Sequence, residues 1–328
     1  MPITNRHNIS LPMAVWLLHD EYDYVRDANY ISATSLLKST KQLVLARRVP
    51  MEERELDVSD LIASRMGTAI HDSIEKSWEV SGKAGMVKLG YPEHIAERIV
   101  INPTDEMLEN NPGIIPVYME QRVIRELTIK GKTYRIGGKF DMVIDGRLFD
   151  AKTTSVYSYL LGDKDEDYSK QGSIYRWLDN GKRITSDHIF IQFLFTDWQK
   201  IMAKTNPKYP PLKLHEHPVA LLEMADTERL IINKVDEVFS LMDAPEENLP
   251  ACTDKELWRS APKYKYYSDP NKTDGKSSKN FDDLASANAY WKVEKAGKGI
   301  VKTVPGEVKA CAYCPAYPVC KQREQYDV

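Results

Sequence analysis

The sequence predicts an α+β protein: a central mixed, largely antiparallel β-sheet flanked by helices, with a helical N-terminal cap and a cysteine-rich C-terminal segment. Three observations carry this. Apolar, β-branched runs flank two turn dipeptides, Lys130-Gly131 and Asp145-Gly146, so residues 117 to 154 read as an antiparallel meander of three or more strands. Apolar residues recur at helical spacing before and after it, over residues 59 to 79, 168 to 178 and 226 to 242. Three cysteines fall within ten residues near the C-terminus, where composition has shifted toward Lys, Tyr, Gly and Ser.

Residues 1 to 58 form the helical cap. Residues 16 to 18 and 36 to 45 have helix-like apolar spacing, with Ser32 to Ser35 offering N-caps. The helix from Ser59, capped by Ser59 or Asp60, carries a core stripe of Ile62, Met66, Ile70 and Ile74. Beside it runs Gly67, His71 and Glu75, where Gly67 permits close packing and His71 meets Glu75. Residues 80 to 116 are irregular, with one short helix near 93 to 100. Residues 189 to 195 fit a buried strand. Residues 226 to 242 form an amphipathic helix capped by Asp226 or Thr227, and 281 to 294 a last helix. The core then spans residues 59 to 245 and the C-terminal segment 246 to 328.

Composition narrows the function. The chain has 328 residues, 42% hydrophobic and 28% charged, as in ordinary soluble proteins. No apolar run approaches a membrane span, and no secretory h-region opens the chain, so a cytoplasmic location and no membrane partner are expected. With a net charge of −3, any nucleic-acid contact must come from a local basic surface. No Gly-x4-Gly-Lys-Ser/Thr motif is present.

The hairpin at Asp145-Gly146 carries the chemistry. Counting outward from a two-residue turn, Ile144 faces Arg147, Met142 faces Phe149 and Asp141 faces Asp150. Two carboxylates directly opposite, roughly 5 Å apart at Cβ, destabilise a sheet unless something lies between them. Lys152 shares the face of Asp150 by strand alternation. A divalent cation between the aspartates explains the set. A surface ion pair of Lys152 with one aspartate is the alternative. Gly137-Gly138 just upstream suits close approach of a substrate backbone. His71 offers a third ligand to a hard cation; Glu75 reads as helix surface.

The ordered set Gly-x3-His71-x3-Glu, Gly-x-x-Asp141, Asp150-x-Lys152 and Gln171-x3-Tyr175 resembles the PD-(D/E)XK nuclease superfamily. The likeness is to its RecB-like branch, with the CRISPR-associated adaptation exonucleases and phage iron–sulfur exonucleases. It covers residues 60 to 200. The resemblance implies a restriction-endonuclease-like core and His71, Asp141 and Asp150 as Mg2+ or Mn2+ ligands. It also implies Lys152 as the group that positions the attacking water, with Gln171 and Tyr175 as substrate contacts. A DNA exonuclease acting on ends or single strands follows, in phage or mobile-element recombination, with recombination proteins as partners. A non-catalytic DNA-binding accessory protein on a degenerate nuclease fold is the alternative.

Cys311-x2-Cys314-x5-Cys320, with Cys252 as the only other cysteine, reads as a four-Cys zinc site, an iron–sulfur site, or buried thiols. The resemblance implies a [4Fe-4S] cluster that staples the C-terminal segment. The chain departs from that pattern in one respect. In the relatives the distant cysteine usually precedes the nuclease motifs, whereas Cys252 follows them. Lys263, Tyr264, Lys265 and Tyr266 alternate cation and ring in a surface segment. They are DNA-binding candidates, against the alternative of a solvated loop.

Overall fold

The structure is a computed structural model that describes residues 3–50 and 55–326; residues 1, 2, 51–54, 327 and 328, within the N- and C-terminal regions set out above, lie outside them. The protein is mixed α+β and divides into two compact units. The first comprises residues 1–37 and 55–239, the second 38–54 and 240–328. The N-terminal region is therefore shared between units, a division that a boundary at residue 58 misses.

The first unit is organised on one seven-stranded sheet. Its strands are β1 (Tyr30–Ser32), β2 (Ile99–Ile101), β3 (Ile115–Ile129), β4 (Lys132–Ile144), β5 (Arg147–Thr154), β6 (His188–Phe195) and β7 (Leu214–Ala220). The order is β2-β3-β4-β5-β6-β7, with β1 pairing β4 off that path. The β3–β4, β4–β5 and β6–β7 pairs are antiparallel and the other three parallel. Both predicted hairpins form. Lys130, Gly131, Asp145 and Gly146 all have positive φ, the signature of two-residue turns that match strand twist.

Edge sharing on β4 positions the site. β3 runs along one side of β4 from Lys132 to Ile144. The other side is divided: β1 pairs Arg135 to Gly137, and β5 pairs only Met142 to Ile144. Between them, Gly138 to Asp141 have no ladder partner on that edge. β5 meanwhile pairs β6 in parallel from Leu148 to Thr154. The sheet forks there, and the backbone groups inside the fork take side-chain partners instead.

Helix α1 (Ile62–Lys88) is 27 residues long and starts after a one-turn 3-10 helix. Asp57 caps that turn by accepting from Ser59 N–H, and Asp60 closes a capping box back to the Asp57 amide. The cap is thus two or three residues earlier than the sequence suggested. Most of the predicted core stripe faces outward: Ile62, Met66 and Ile74 are 42%, 44% and 37% exposed, Ile70 is half-buried, and no residue of α1 is fully buried. The neighbouring stripe is the packed one. His71 and Glu75 lie on it, and Trp78 and Met86 extend it onto the Ile99, Val117 and Met119 cluster. A β-carbon at Gly67 would meet nothing, so that glycine serves no close contact. Residues 80 to 116 are ordered as the rest of α1, a turn of helix, β2 and the helix Asp105–Asn110.

Helix α2 (Asp165–Leu178) packs on the sheet through Gln171 to Tyr175, Trp177 and Leu178. Helix α3 (Met224–Ser240) buries Thr227, Ile231, Val235 and Val238. Thr227 lies inside that helix, its hydroxyl donating to the Glu223 carbonyl, so it is not the cap.

In the second unit, Lys263–Tyr267 (β8) is the central strand of a three-stranded antiparallel sheet with β9 (Lys279–Phe281) and β10 (Ile300–Val304). The Lys/Tyr-rich segment is therefore partly core. Tyr266 is 3% exposed and donates to the Lys298 carbonyl. Helix Thr40–Ala46, capped by Ser39, belongs to this unit.

Candidate metal centre and cysteine cavity

The first site is built in the fork. The register from the Asp145-Gly146 turn is as counted, Ile144 to Arg147 through Met142 to Phe149. One step further the ladder stops, because Asp141 turns its carboxylate inward and accepts the Ala151 N–H at 2.9 Å. Asp150, at 1% exposure, points toward α2, where Gln171 Nε2 donates to it at 3.1 Å. Lys152 Nζ stands 2.6 Å from its other oxygen, the single charge partner of that atom among the described residues. The two carboxylates thus take different partners, Asp141 the Ala151 N–H and Asp150 the Gln171 amide and Lys152.

His71 reaches across from α1. Its Nε2 donates to the Ala151 carbonyl at 3.1 Å, and its Nδ1 lies 3.4 Å from Asp141 Oδ2 and 3.8 Å from Glu120 Oε1. His71, Glu120 and Asp141 each offer a ligand atom, all within 4.8 Å of one another. One imidazole and two carboxylates suit a hard divalent cation or a borderline one such as Mn2+. Asp150 is not in this group; it flanks it, tied to Lys152.

Glu120 was missed from the sequence. It sits on β3 with a positive φ, unusual for a glutamate, which interrupts the ladder between Met119↔Met142 and Gln121↔Phe140. The signal was available. Counting outward from Lys130-Gly131, as was done from Asp145-Gly146, places Glu120 opposite Asp141. Glu75, read as helix surface, makes no part of the group.

The electrostatics are those of a cation site. Glu120, opposed by burial and helped by Asp141, raises the His71 pKa to about 9. Burial, reinforced by Asp150, lifts the Asp141 carboxyl well above the ordinary carboxylate range. Burial also works against the Lys152 ammonium, but Asp150 and Asp141 outweigh it and hold its pKa above the usual lysine value. Without a metal, His71, Lys139 and Lys152 bring positive charge to these carboxylates.

Gln171 and Tyr175 come together as spaced, Gln171 Nε2 donating to the Tyr175 hydroxyl at 3.2 Å. Both are buried; Gln171 holds Asp150 from behind and Tyr175 backs Gln171. The glycines also act inward. A β-carbon on Gly138 would come within 2.6 Å of the Tyr175 ring, and one on Gly137 within 2.6 Å of Tyr30. Their closeness serves tyrosine packing, not a substrate backbone. Tyr168, one turn before Gln171 and half-buried, is the α2 residue whose charge environment includes Lys152; burial pushes its phenol up to about 12.

The second site lies wholly in the second unit. Cys252, Cys311, Cys314 and Cys320 all line one cavity of about 50 Å³, with Ser39, Lys41 and Gln322. Cys252 Sγ is 3.3 Å from Ser39 Oγ, and Gln322 holds the Cys252 backbone at both N–H and C=O. Burial raises the Cys252, Cys311 and Cys314 thiols. No three of the sulfurs lie mutually within 4.8 Å, so the cysteines share a cavity without forming a closed cluster. Of the DNA-binding candidates, Lys263 is exposed, Tyr264 and Lys265 are half-buried, and Tyr266 is core.

No family model and no curated protein matches the chain. Among solved structures, that of SSO0001 is similar at 16% identity, covering 71% of this chain and 86% of that one, with a TM-score of 0.41. Among the described residues, no helix is long and apolar enough to cross a membrane.

Proposed function

We propose that the chain is a divalent-metal-dependent nuclease that hydrolyses DNA phosphodiester bonds at ends or in single strands. The observation that carries this is the convergence of His71, Glu120 and Asp141 beside the buried Asp150–Lys152 ion pair. The donor set fits Mg2+ or Mn2+, which when bound neutralises phosphoryl oxygens and makes hydroxide available near neutral pH. The protein's own groups do the rest. Glu120 and Asp141, fixed on adjacent strands, would hold the ion together with His71. Gln171 and Lys152 orient Asp150. Lys152 presents a fixed ammonium beside the site, where it can hold the attacking water and offset charge developing on the phosphate.

The reading extends to the second unit, where the four cysteines would hold a [4Fe-4S] cluster as a structural staple. A single zinc ion with Zn–S bonds of about 2.3 Å draws four sulfurs to within about 4 Å of one another. A cluster keeps its thiolates further apart. The shared cavity lined by all four cysteines supports a four-thiolate site, and the choice of cluster over zinc rests on the Cys-x2-Cys-x5-Cys spacing. Anaerobically purified protein is expected to be brown with about four irons per chain; a colourless protein with one zinc contradicts it.

The test of the activity is digestion of end-labelled single- and double-stranded DNA in Mn2+ by wild type and Lys152→Ala. Wild type is expected to release nucleotides or short oligonucleotides, and Lys152→Ala to lose at least about 100-fold in rate. A wild-type protein that binds DNA and never cuts it, with any divalent ion, supports the accessory-protein alternative instead.

A further inference from the structure

The segment between the helix Leu11–Leu18 and β1, residues 19 to 29, contains four acidic residues and two tyrosines that no step above uses. Its carboxylates pair with cations of the sheet and of α1. Asp23 takes Arg122 bidentately, at 2.8 and 2.6 Å. Asp20 pairs with Arg65 at 3.3 Å and Asp27 with Arg135 at 3.2 Å. Between these, the Tyr22 ring lies under both Arg122, at 5.2 Å, and Lys139, at 5.3 Å. Lys139 in turn bonds Glu120 of the metal centre at 2.6 Å. Arg122 and Lys139 are ladder partners on β3 and β4, so this cation pair lies on the sheet beside Glu120.

Three carboxylates on successive cations, with a ring between, have the chemistry of a phosphodiester strand: spaced anions and a stacking plane. In all three pairs at least one partner is largely covered, and Asp23 is the most exposed of the acids. Asp23 is exposed while Arg122 is mostly covered. Arg122 holds the Asp23 carboxyl at about 2, so the acid is charged at all working pH values. A fork-shaped guanidinium held ready in this way suits exchange of a carboxylate for a phosphate.

We propose that Arg122 and Lys139, with Tyr22, form the track on which the sugar–phosphate backbone of a single nucleic-acid strand enters the metal centre, and that Asp23 occupies the phosphate position until it does. The proposal rests on the nuclease reading and adds a binding surface to it. Strand entry breaks the Asp23–Arg122 pair, the phosphate takes the guanidinium, and a base stacks on Tyr22 as it leaves the cations.

Fluorescence anisotropy of a labelled single-stranded oligonucleotide, read without divalent ions across a salt series, separates this from catalysis. Arg122→Ala is expected to weaken binding several-fold and to lower the slope of log affinity against log salt by about 0.7, one phosphate contact. Arg122→Lys is expected to keep that slope. Asp23→Asn, which keeps the side-chain shape, is expected to tighten binding several-fold. If Arg122→Ala melts early, Asp23→Asn carries the test alone. Unchanged affinity in Asp23→Asn, or an unchanged slope in folded Arg122→Ala, overturns the track. Equal tightening of Asp23→Asn toward polyglutamate assigns the surface to acidic peptides and overturns it as well. Failure of the nuclease reading would appear separately, as absent cleavage in Mn2+ with oligonucleotide binding intact.

Discussion

The sheet site and the cysteine cavity are assembled in opposite ways. In the first unit the ligands are near neighbours through two tight turns: Glu120 and Asp141 are opposite one another on β3 and β4, and Asp150 follows on β5. Backbone register sets their spacing, and His71, Lys152 and Gln171 hold the charges without any ion. In the second unit the donors come from a loop at Cys252 and from short 3-10 turns at 310–313 and 317–319, with few backbone pairings between them. The cavity they line is held by side-chain contacts such as Gln322 to Cys252. A site on strands is preorganised by the sheet, whereas a site on loops takes its order from what it binds.

This contrast can be broken most directly by removing the cofactor proposed for the second unit. Iron chelation under reducing conditions, or Cys311→Ser, is expected to unfold residues 240–326 locally, read as lost amide-exchange protection there. Protection in β3 to β6 is expected to stay. Uniform loss across both units contradicts separate organisation. The next largest effect is on pH. The metal-free His71 carries its proton up to about 9, and a ligating imidazole must be neutral. Mn2+ affinity is therefore expected to rise about tenfold per pH unit between 7 and 9, and Glu120→Gln to flatten that rise. The sign for stability is the reverse. The raised histidine stabilises the metal-free fold fully below its unfolded pKa of about 6.5, and that contribution is lost as pH rises through about 9. A pH-independent Mn2+ affinity removes His71 from the site. A smaller effect tests the packing behind the carboxylates. Gly138→Ala forces the Tyr175 ring away and is expected to cost about 1–3 kcal/mol in chemical denaturation. A neutral result means that the tyrosine wall is not tight.

Much of the sheet was legible because turn chemistry is local. Lys130-Gly131 and Asp145-Gly146 each demand positive φ at both positions, and that alone fixes the register of three strands. Strand alternation then placed Lys152 with Asp150. Periodicity was less decisive for α1. Its apolar stripe and its His71 stripe are a quarter-turn apart, and only the partner helices and strands decide which one packs. Burial of Gln171, Tyr175 and Tyr266 was not legible either, because an amide or a phenol reads the same at a surface and in a satisfied core. Glu120 was within reach of the same turn counting and needed only the second hairpin.

The central claim is that His71, Glu120 and Asp141 form one divalent-cation site. Electron paramagnetic resonance of Mn2+ titrated into the metal-free protein tests it directly. One ion per chain is expected for wild type, with Asp141→Ala and Glu120→Gln each weakening it by about 10- to 100-fold or more. A wild type that binds no Mn2+, or variants that bind it as wild type does, contradicts the account.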